Sequence, residues 1–255
     1  DINSGGGSIE ITKDITGTDG DETLVLDDNG TGSSGVITLG GHVGAINTGT
    51  SQIKTVQLTA AGGIKLSGDI TTSSTAGSID IAGPVTLEGD ITIDGDAAAT
   101  TITFSSTSTV NSDSTARDLT IKSDTGKISM EAGIGTSAAI DVLSITNAGH
   151  IDLFGLGNAT GPVNGVTNAT TIGGGSTTQI KLDGTTYRTA GAQTYTTTAT
   201  GNKILFTNTS NATITTDGTN VGFVGGDVKI TEDVDLAITT GSGNGNISFA
   251  GAIKG

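Results

Sequence analysis

Cysteine and tryptophan are absent from this chain of 255 residues, and the other aromatic residues and proline are scarce, with five Phe, two Tyr and two Pro. Without cysteine, thiol-based catalysis is excluded. Sandwiches of the immunoglobulin type usually hold a large aromatic residue in their core, commonly Trp, so its absence argues against that fold. Helix-forming residues are few, whereas Gly, Thr and Ile are abundant. We therefore expect an almost entirely β chain.

Positive charge is also in short supply, with 11 Lys and Arg against 26 Asp and Glu and a formal net charge of −15. Such a surface repels phosphate backbones and anionic lipids, so neither nucleic acid nor a membrane surface is an expected partner. No apolar run approaches the roughly 20 residues that span a bilayer. The acidic, threonine-rich, cysteine-free composition favours an extracellular or cell-surface location. The first residues lack the features of a signal peptide, which favours a processed product or a piece of a longer protein.

A cassette of seven residues recurs in the sequence: apolar, any, apolar, any, Gly, any, Ile or Val. It occupies residues 37–43, 64–70, 79–85, 85–91 and 247–253. Because strand side chains alternate between faces, each cassette puts two aliphatic residues on one side, turns at Gly and places a third aliphatic residue on that same side. This pattern is typical of the wall of a β-solenoid.

Eleven apolar-x-apolar pairs can be counted from Ile9 to Ile247, which is 238 residues in ten intervals, or about 24 residues per repeat. The pattern predicts a parallel β-helix of about ten coils, roughly 50 Å long, that forms one domain over residues 1–255. Tandem β-sandwich modules are the alternative fold. The least regular stretch is 155–201, in which the polar segment 185–198 is predicted to form a hairpin that leaves the wall.

Segments 77–85 (Gly-Ser-Ile-Asp-Ile-Ala-Gly-Pro-Val) and 245–253 (Gly-Asn-Ile-Ser-Phe-Ala-Gly-Ala-Ile) resemble repeats of large bacterial surface adhesins of the filamentous-haemagglutinin and autotransporter type. The Asn-Pro-Asn motifs of their secretion domain are absent. The resemblance implies a right-handed parallel β-helix at the cell surface that serves in adhesion or assembly, and it supplies no catalytic residues.

No polar cap is visible at either end of the repeats. We therefore expect a non-enzymatic structural protein of an extracellular surface filament or giant adhesin. Its uncapped ends would associate with further copies or continue into a longer solenoid, and host or cell-surface glycans are possible partners.

Two acidic clusters, Asp19 with Asp21 and Asp27 with Asp28, flank one predicted strand and offer the oxygen ligands that calcium prefers. They match neither the EF-hand loop nor the repeat of calcium-binding toxin solenoids. Solvated turns explain these residues equally well. Calcium is thus the one candidate cofactor.

Catalytic side chains are not indicated by any motif. The densest carboxylate clusters are Asp94 with Asp96 and the acidic residues within 232–235. Sugar-cleaving β-helix enzymes need paired carboxylates in a cleft that is usually lined by aromatic and basic residues, which are scarce here. His42 and His150 are too far apart in sequence to suggest a shared metal site. A carbohydrate-active β-helix enzyme and a calcium-stiffened sandwich stalk remain the alternative functions.

Two kinds of surface site are suggested by the remaining residues. Tyr187, Arg188 and Tyr195 are candidates for a small receptor- or glycan-binding patch, because exposed aromatic residues are favoured at interfaces; partly buried rings over an irregular loop are the alternative. Possible N-glycosylation sites are Asn29, Asn158, Asn168, Asn208, Asn211 and Asn246.

Overall fold

The computed structural model describes residues 1–28, 30, 34–44, 53–73, 75–96, 99–159, 165–198, 203–231 and 233–255. These residues form 27 short strands. They include no helix, and hence none of the length and apolarity that crossing a membrane requires. Every strand ladder between them is parallel, and each strand pairs with the strand one coil away. The chain is therefore a β-solenoid of about ten coils, as the cassettes predict, and the antiparallel pairing of tandem sandwiches is absent from this part of the chain.

The strands lie on three faces, which we number in chain order, and each complete coil crosses every face once. In the first two coils face 3 is marked only by isolated bridges at Ile15 and Val43. Face 1 contains β1 (Ile2–Asn3), β3 (Thr23–Asp28), β5 (Thr55–Ala60), β8 (Ser78–Ala82), β11 (Thr101–Phe104), β14 (Lys127–Ile134), β16 (His150–Leu156), β18 (Gln179–Leu182), β21 (Lys203–Phe206), β24 (Asp227–Ile230) and β27 (Ile253–Lys254). Face 2 contains β2 (Ile9–Ile11), β4 (Ile37–Leu39), β6 (Ile64–Leu66), β9 (Val85–Leu87), β12 (Val110–Ser112), the ends of β14 and β16, β19 (Thr186–Arg188), β22 (Ala212–Thr215) and β25 (Leu236–Thr239). Face 3 contains β7 (Ile70–Thr72), β10 (Ile91–Gly95), β13 (Leu119–Lys122), β15 (Leu143–Thr146), β17 (Thr170–Gly173), β20 (Gln193–Thr196), β23 (Val221–Val224) and β26 (Ile247–Phe249).

The core consists of aliphatic columns that run along the solenoid axis. On face 1, Ile102 is aligned with Ile128 and Ile128 with Ile151, and all three side chains are buried. Stacking equivalent branched side chains fills the narrow interior without large rings. Towards the C-terminal end the face-3 column becomes aromatic. There the ring of Phe223 stacks on Tyr195 at 5.3 Å and on Phe249 at 4.8 Å between centroids.

The seven-residue cassettes mark the corners between faces. Residues 64–70 join face 2 to face 3, whereas 79–85 join face 1 to face 2 and 247–253 join face 3 to face 1. Gly68 lies at one of these corners, and a larger residue does not fit there. A Cβ at this position would lie 2.5 Å from the carbonyl carbon and oxygen of Gly41 in the preceding coil. Since cassettes occur at all three corners, the apolar pairs counted from the sequence belong to different faces, and their mean spacing is not the length of one coil. On face 3 alone the rungs run from Ile15 to Phe249, 234 residues in nine steps, or 26 residues per coil.

Polar side chains tie successive coils together at the corners. The Oδ1 atom of Asp90 accepts the backbone N–H of Asp118 at 3.1 Å, and Asp118 accepts the N–H of Val142 at 3.1 Å. Asn220 accepts the N–H of Asn246 at 2.8 Å near the other end of the rod. Each bond satisfies a backbone donor that lies outside the regular strand pairing. The Asp and Asn residues that precede face-3 strands are thus corner ligands for the backbone.

The stretch 155–201 continues the wall where the structure describes it. Strands β19 and β20 pair in parallel with strands of both adjacent coils, so the predicted hairpin at 185–198 is wrong. The alternation of residues in this segment places Tyr187 and Tyr195 in the core columns rather than on a protruding ribbon. The extra length lies instead in the connection between Leu156 and Thr170, of which residues 160–164 are outside the described residues.

Candidate functional site

The predicted surface patch around the two tyrosines is wrong, because both rings are fully buried. Tyr187 lies in the face-2 column between Leu156 and Ile214, and Tyr195 lies in the face-3 column beside Phe223. The alternation of inward and outward residues along a strand already places both tyrosines on the inward side. The alternation is hard to recognise in this sequence because Thr occupies most of the surrounding positions, both inward and outward.

Both phenol groups belong to an internal hydrogen-bond network. The Tyr187 hydroxyl donates to the carbonyl of Leu153 at 3.0 Å and accepts the N–H of Gly184 at 2.8 Å. The Tyr195 hydroxyl donates to Gln193 Oε1 at 2.7 Å. Burial raises the pKa of both tyrosines, so the hydroxyls stay protonated and remain donors. These side chains therefore satisfy buried polar groups and do not face a ligand.

Only Arg188 of the predicted patch faces outward. It lies at the end of β19 and lines a shallow depression of about 220 Å³ together with Thr186, Thr213 and Thr215. The depression contains no aromatic ring, so the reason for proposing a receptor patch at this place no longer holds.

The candidate calcium ligands do not converge. Asp19 and Asp21 precede β3, whereas Asp27 and Asp28 are its last two residues, and the strand rises about 3.3 Å per residue between them. Among the described residues no three His, Asp or Glu side chains group closely enough to hold a metal ion. Asp28 is 1 % exposed and accepts a hydrogen bond from Ser4 Oγ at 2.9 Å. Its carboxylate thus joins two coils.

The turn before β3 is organised by Glu22 instead of a cation. The carboxylate accepts the hydroxyl and the N–H of Thr18 and the N–H of Gly20. These bonds, led by the Thr18 hydroxyl, lower the pKa of Glu22 from 4.5 to about 2. Asp19 in turn accepts the N–H of Asp21 at 3.3 Å. The acidic turn is therefore held by its own backbone donors.

The other acidic and histidine candidates are dispersed over the surface. Asp94 is paired with Lys122 Nζ at 2.6 Å on the outer side of face 3. Asp235 lies at a corner, where its N–H donates to Asn211 at 3.4 Å, and Glu232 is outside the described residues. His42 accepts the N–H of Asp69 at 3.0 Å, five coils from His150. The structure does not bring these groups together.

The possible glycosylation sites have different surroundings. Asn158, Asn168, Asn211 and Asn246 are exposed, Asn208 is half-buried, and Asn29 lies outside the described residues. Asn168 uses its side-chain nitrogen to donate to Asp141 Oδ1 at 2.6 Å, and Asn208 uses its own to donate to the carbonyl of Ser210. At these two positions a sugar attached to the amide nitrogen would disturb a corner, which leaves Asn158, Asn211 and Asn246 as the more accessible predicted sites.

One aromatic ring departs from the pattern of the wall. Phe154 points outward from β16 in the middle of the rod and is 49 % exposed, whereas the other six aromatic side chains are buried or half-buried. The other large apolar side chains that are exposed in the described chain lie within its terminal coils or, for Val224, one coil from the end. The sequence signal is Phe at an outward position between the core residues Leu153 and Gly155, and it was missed.

A β-bulge lies beside this ring. Between the aligned pairs Met130 with Leu153 and Gly133 with Gly155, β14 has two residues opposite the single residue Phe154. Bulges re-aim side chains and bend the strand that contains them. Here the two opposing residues are Glu131 and Ala132, of which Glu131 is exposed and Ala132 is buried.

A groove of about 530 Å³ begins at the bulge, and we call it the Phe154 groove. Its lining includes Phe154 and both bulge residues, the buried Ala132 and the exposed Glu131. Most of the remaining side chains in the lining carry a hydroxyl or an amide group, including Thr136, Thr186 and Asn158. The groove thus combines an apolar ring with many neutral hydrogen-bonding groups.

A second, more charged depression of about 280 Å³ adjoins the first and shares Phe154 and Glu131 with it. Its lysines are paired with carboxylates: Lys127 Nζ lies 2.6 Å from Asp152, and Lys181 Nζ lies 2.9 Å from Asp183. The pairing with Asp183 raises the pKa of Lys181. Because no basic side chain of the described residues pairs with Glu131, the local charge is slightly negative.

Comparison with known proteins gives no match: no family model, no curated protein and no solved structure is significantly similar to this chain.

Proposed function

We propose that this chain is a non-enzymatic structural segment of an extracellular surface filament or giant adhesin, in which solenoid coils stack end to end. Its three-faced wall suits this role, because each coil buries its core against the coils on either side. Neither catalytic chemistry nor a bound cofactor is part of the proposal.

The observation that carries the proposal is that the core columns are buried only where another coil covers them. Ile247 and Ile253 are 44 % and 55 % exposed, whereas Val221 and Val228, aligned with them one coil inward, are 0 % and 1 % exposed. At the other end Ile2 is 48 % exposed and the aligned Leu26 is fully buried. A coil therefore buries its apolar rungs and pairs its strand edges only against another coil, whether that coil belongs to the same chain or to another.

Association between two copies of this chain tests the proposal directly. We expect the purified chain to form concentration-dependent rods, seen by electron microscopy and sedimentation velocity. The double variant I247K/I253K should remain short, because lysine at these rungs opposes apolar stacking and leaves buried core positions unchanged.

Val224→Lys is the matched control. Val224 has the same exposure as Ile247, 44 %, but points outward from an internal strand of face 3. This variant should assemble like the parent chain. A parent chain that stays monomeric at high concentration would refute end-to-end association, and equal loss in both variants would indicate non-specific aggregation. Antibody labelling of intact cells tests the proposed surface location.

A further inference from the structure

We propose that the Phe154 groove binds a neutral saccharide, with a sugar ring stacked on Phe154 and its hydroxyl groups hydrogen-bonded to Glu131 and the neighbouring polar side chains. This inference adds a ligand site on the side of the rod. It does not depend on end-to-end association, because none of the groove residues lies in a terminal coil.

Exposure of the ring requires an explanation, because Phe154 is the one exposed aromatic side chain among the described residues and, apart from Val224, the other exposed large apolar side chains lie in the terminal coils. Phe154 lies on a strand paired on both sides, by β14 and by β18, so no further coil of the wall can cover it. Its exposed face is therefore available to a ligand that approaches from the side. An aromatic ring beside convergent polar groups is the usual composition of a small-molecule site.

The polar groups around the ring are suited to hydroxyl groups. A pyranose presents C–H groups on its faces and hydroxyls around its edge, and these hydroxyls are both donors and acceptors. The carboxylate of Glu131 is a strong acceptor, whereas Thr136, Thr186 and Asn158 can donate or accept. The groove volume of about 530 Å³ lies within the range of sites that hold small molecules.

The charges select a neutral sugar over an anionic one. Lys127 and Lys181 are the basic residues that line the two adjoining depressions as described, and each is already paired with a carboxylate. Arg188 lines the separate depression of about 220 Å³, which meets the groove at Thr186. Glu131, which both depressions share, has no basic partner among the described residues and adds a negative charge there. A sulfated or carboxylated saccharide in the groove would therefore be repelled by Glu131.

The test uses the full chain and neutral tetrasaccharides of glucose, galactose, mannose and xylose as probes, with binding measured by saturation-transfer NMR and calorimetry. We expect at least one probe to bind. Phe154→Ala should weaken this binding about tenfold, and Glu131→Gln should weaken it by a smaller factor. Val224→Ala, which removes a similarly exposed apolar side chain elsewhere, should leave binding unchanged.

Several outcomes would overturn the proposal. These are the absence of binding by all four neutral probes at millimolar concentration, tighter binding of a sulfated tetrasaccharide, and equal affinity of the parent chain and Phe154→Ala. Unchanged thermal unfolding of Phe154→Ala, expected for an exposed ring, separates loss of the site from loss of the fold. If all of these variants still form rods, a loss of saccharide binding is independent of end-to-end assembly.

Discussion

The buried pair Gln193 and Tyr195 gives the sharpest prediction about stability. Gln193 Oε1 is the acceptor of the Tyr195 hydroxyl, and both side chains are fully buried. Gln193→Met keeps the length of the side chain but leaves the phenol without this acceptor. Tyr195→Phe leaves the Gln193 oxygen without this donor. A buried polar group that loses its partner costs about 1–3 kcal/mol, so we expect each single variant to lose about 2 kcal/mol.

The double variant Q193M/Y195F removes both members of the hydrogen bond and leaves neither of them unpaired. The amide nitrogen of Gln193 also donates to the Tyr187 carbonyl at 3.0 Å, to Thr189 Oγ1 at 3.0 Å and to the Thr215 carbonyl at 3.1 Å. Thr189 Oγ1 also donates to Gly191, and the Thr215 carbonyl also accepts the N–H of Thr189. Because the double variant still loses the bonds of this amide, it should lose about 2 kcal/mol, well below the sum of about 4 for the single variants.

Urea denaturation followed by far-UV circular dichroism measures all four proteins of this cycle. A coupling of about 2 kcal/mol between the two positions is the expected result. Strictly additive losses would refute the reasoning, because they would mean that the two groups do not satisfy one another. A loss confined to Gln193→Met would instead assign the effect to the lost bonds of the Gln193 amide nitrogen and to the packing of the introduced methionine.

Three further predictions concern a corner, the acidic turn and the aromatic column. Gly68→Ala should destabilise the chain by about 1–3 kcal/mol, since its Cβ would lie 2.5 Å from backbone atoms of Gly41, whereas Gly175→Ala, with nothing within 4 Å, should change urea stability by less than about 0.5 kcal/mol. The pKa of Glu22 is lower in the folded chain than its usual 4.5, so its contribution to stability is present above pH 4.5 and is lost as the pH falls towards 2. In Glu22→Gln the unfolding temperature should therefore depend less on pH in this interval. An unchanged pH dependence would contradict the assignment. Phe223→Leu removes stacking on two rings and should cost about 2 kcal/mol by urea denaturation, and a loss below about 0.5 kcal/mol would show that stacking adds nothing to burial.

The sequence was sufficient to predict the solenoid because its core repeats with the period of the strand and its corners repeat with Gly. Ile79 and Ile81, for example, are separated by one polar residue and followed by Gly83 at the next corner, and both are buried. The number of faces was harder to predict. The same cassette turns all three corners, so Ile64 and Ile79 read as successive repeats although they belong to faces 2 and 1 of adjacent coils.

Functional positions were predicted less well, because in this fold the type of a residue does not indicate whether its side chain is exposed. Tyr187 and Tyr195 are rare aromatic residues in a polar segment, which favours a surface role, but their inward positions make them part of the core. Phe154 occurs in an ordinary apolar segment, and only its outward position and the bulge opposite distinguish it. A bulge depends on the pairing of two strands about 20 residues apart, and one sequence alone does not specify that register.

The acidic composition itself has a structural origin at the corners. Asp90 and Asp118 occupy aligned positions in adjacent coils, where two full charges about 4.8 Å apart repel by about 1 kcal/mol in water. The hydrogen bond from the Asp118 N–H to Asp90 is charge-assisted and contributes about 1.5–3 kcal/mol, which exceeds the repulsion. Carboxylates can therefore serve as corner acceptors in successive coils without loss of stability. A net charge of −15 in such a chain is therefore explained without a positively charged partner or a bound metal ion.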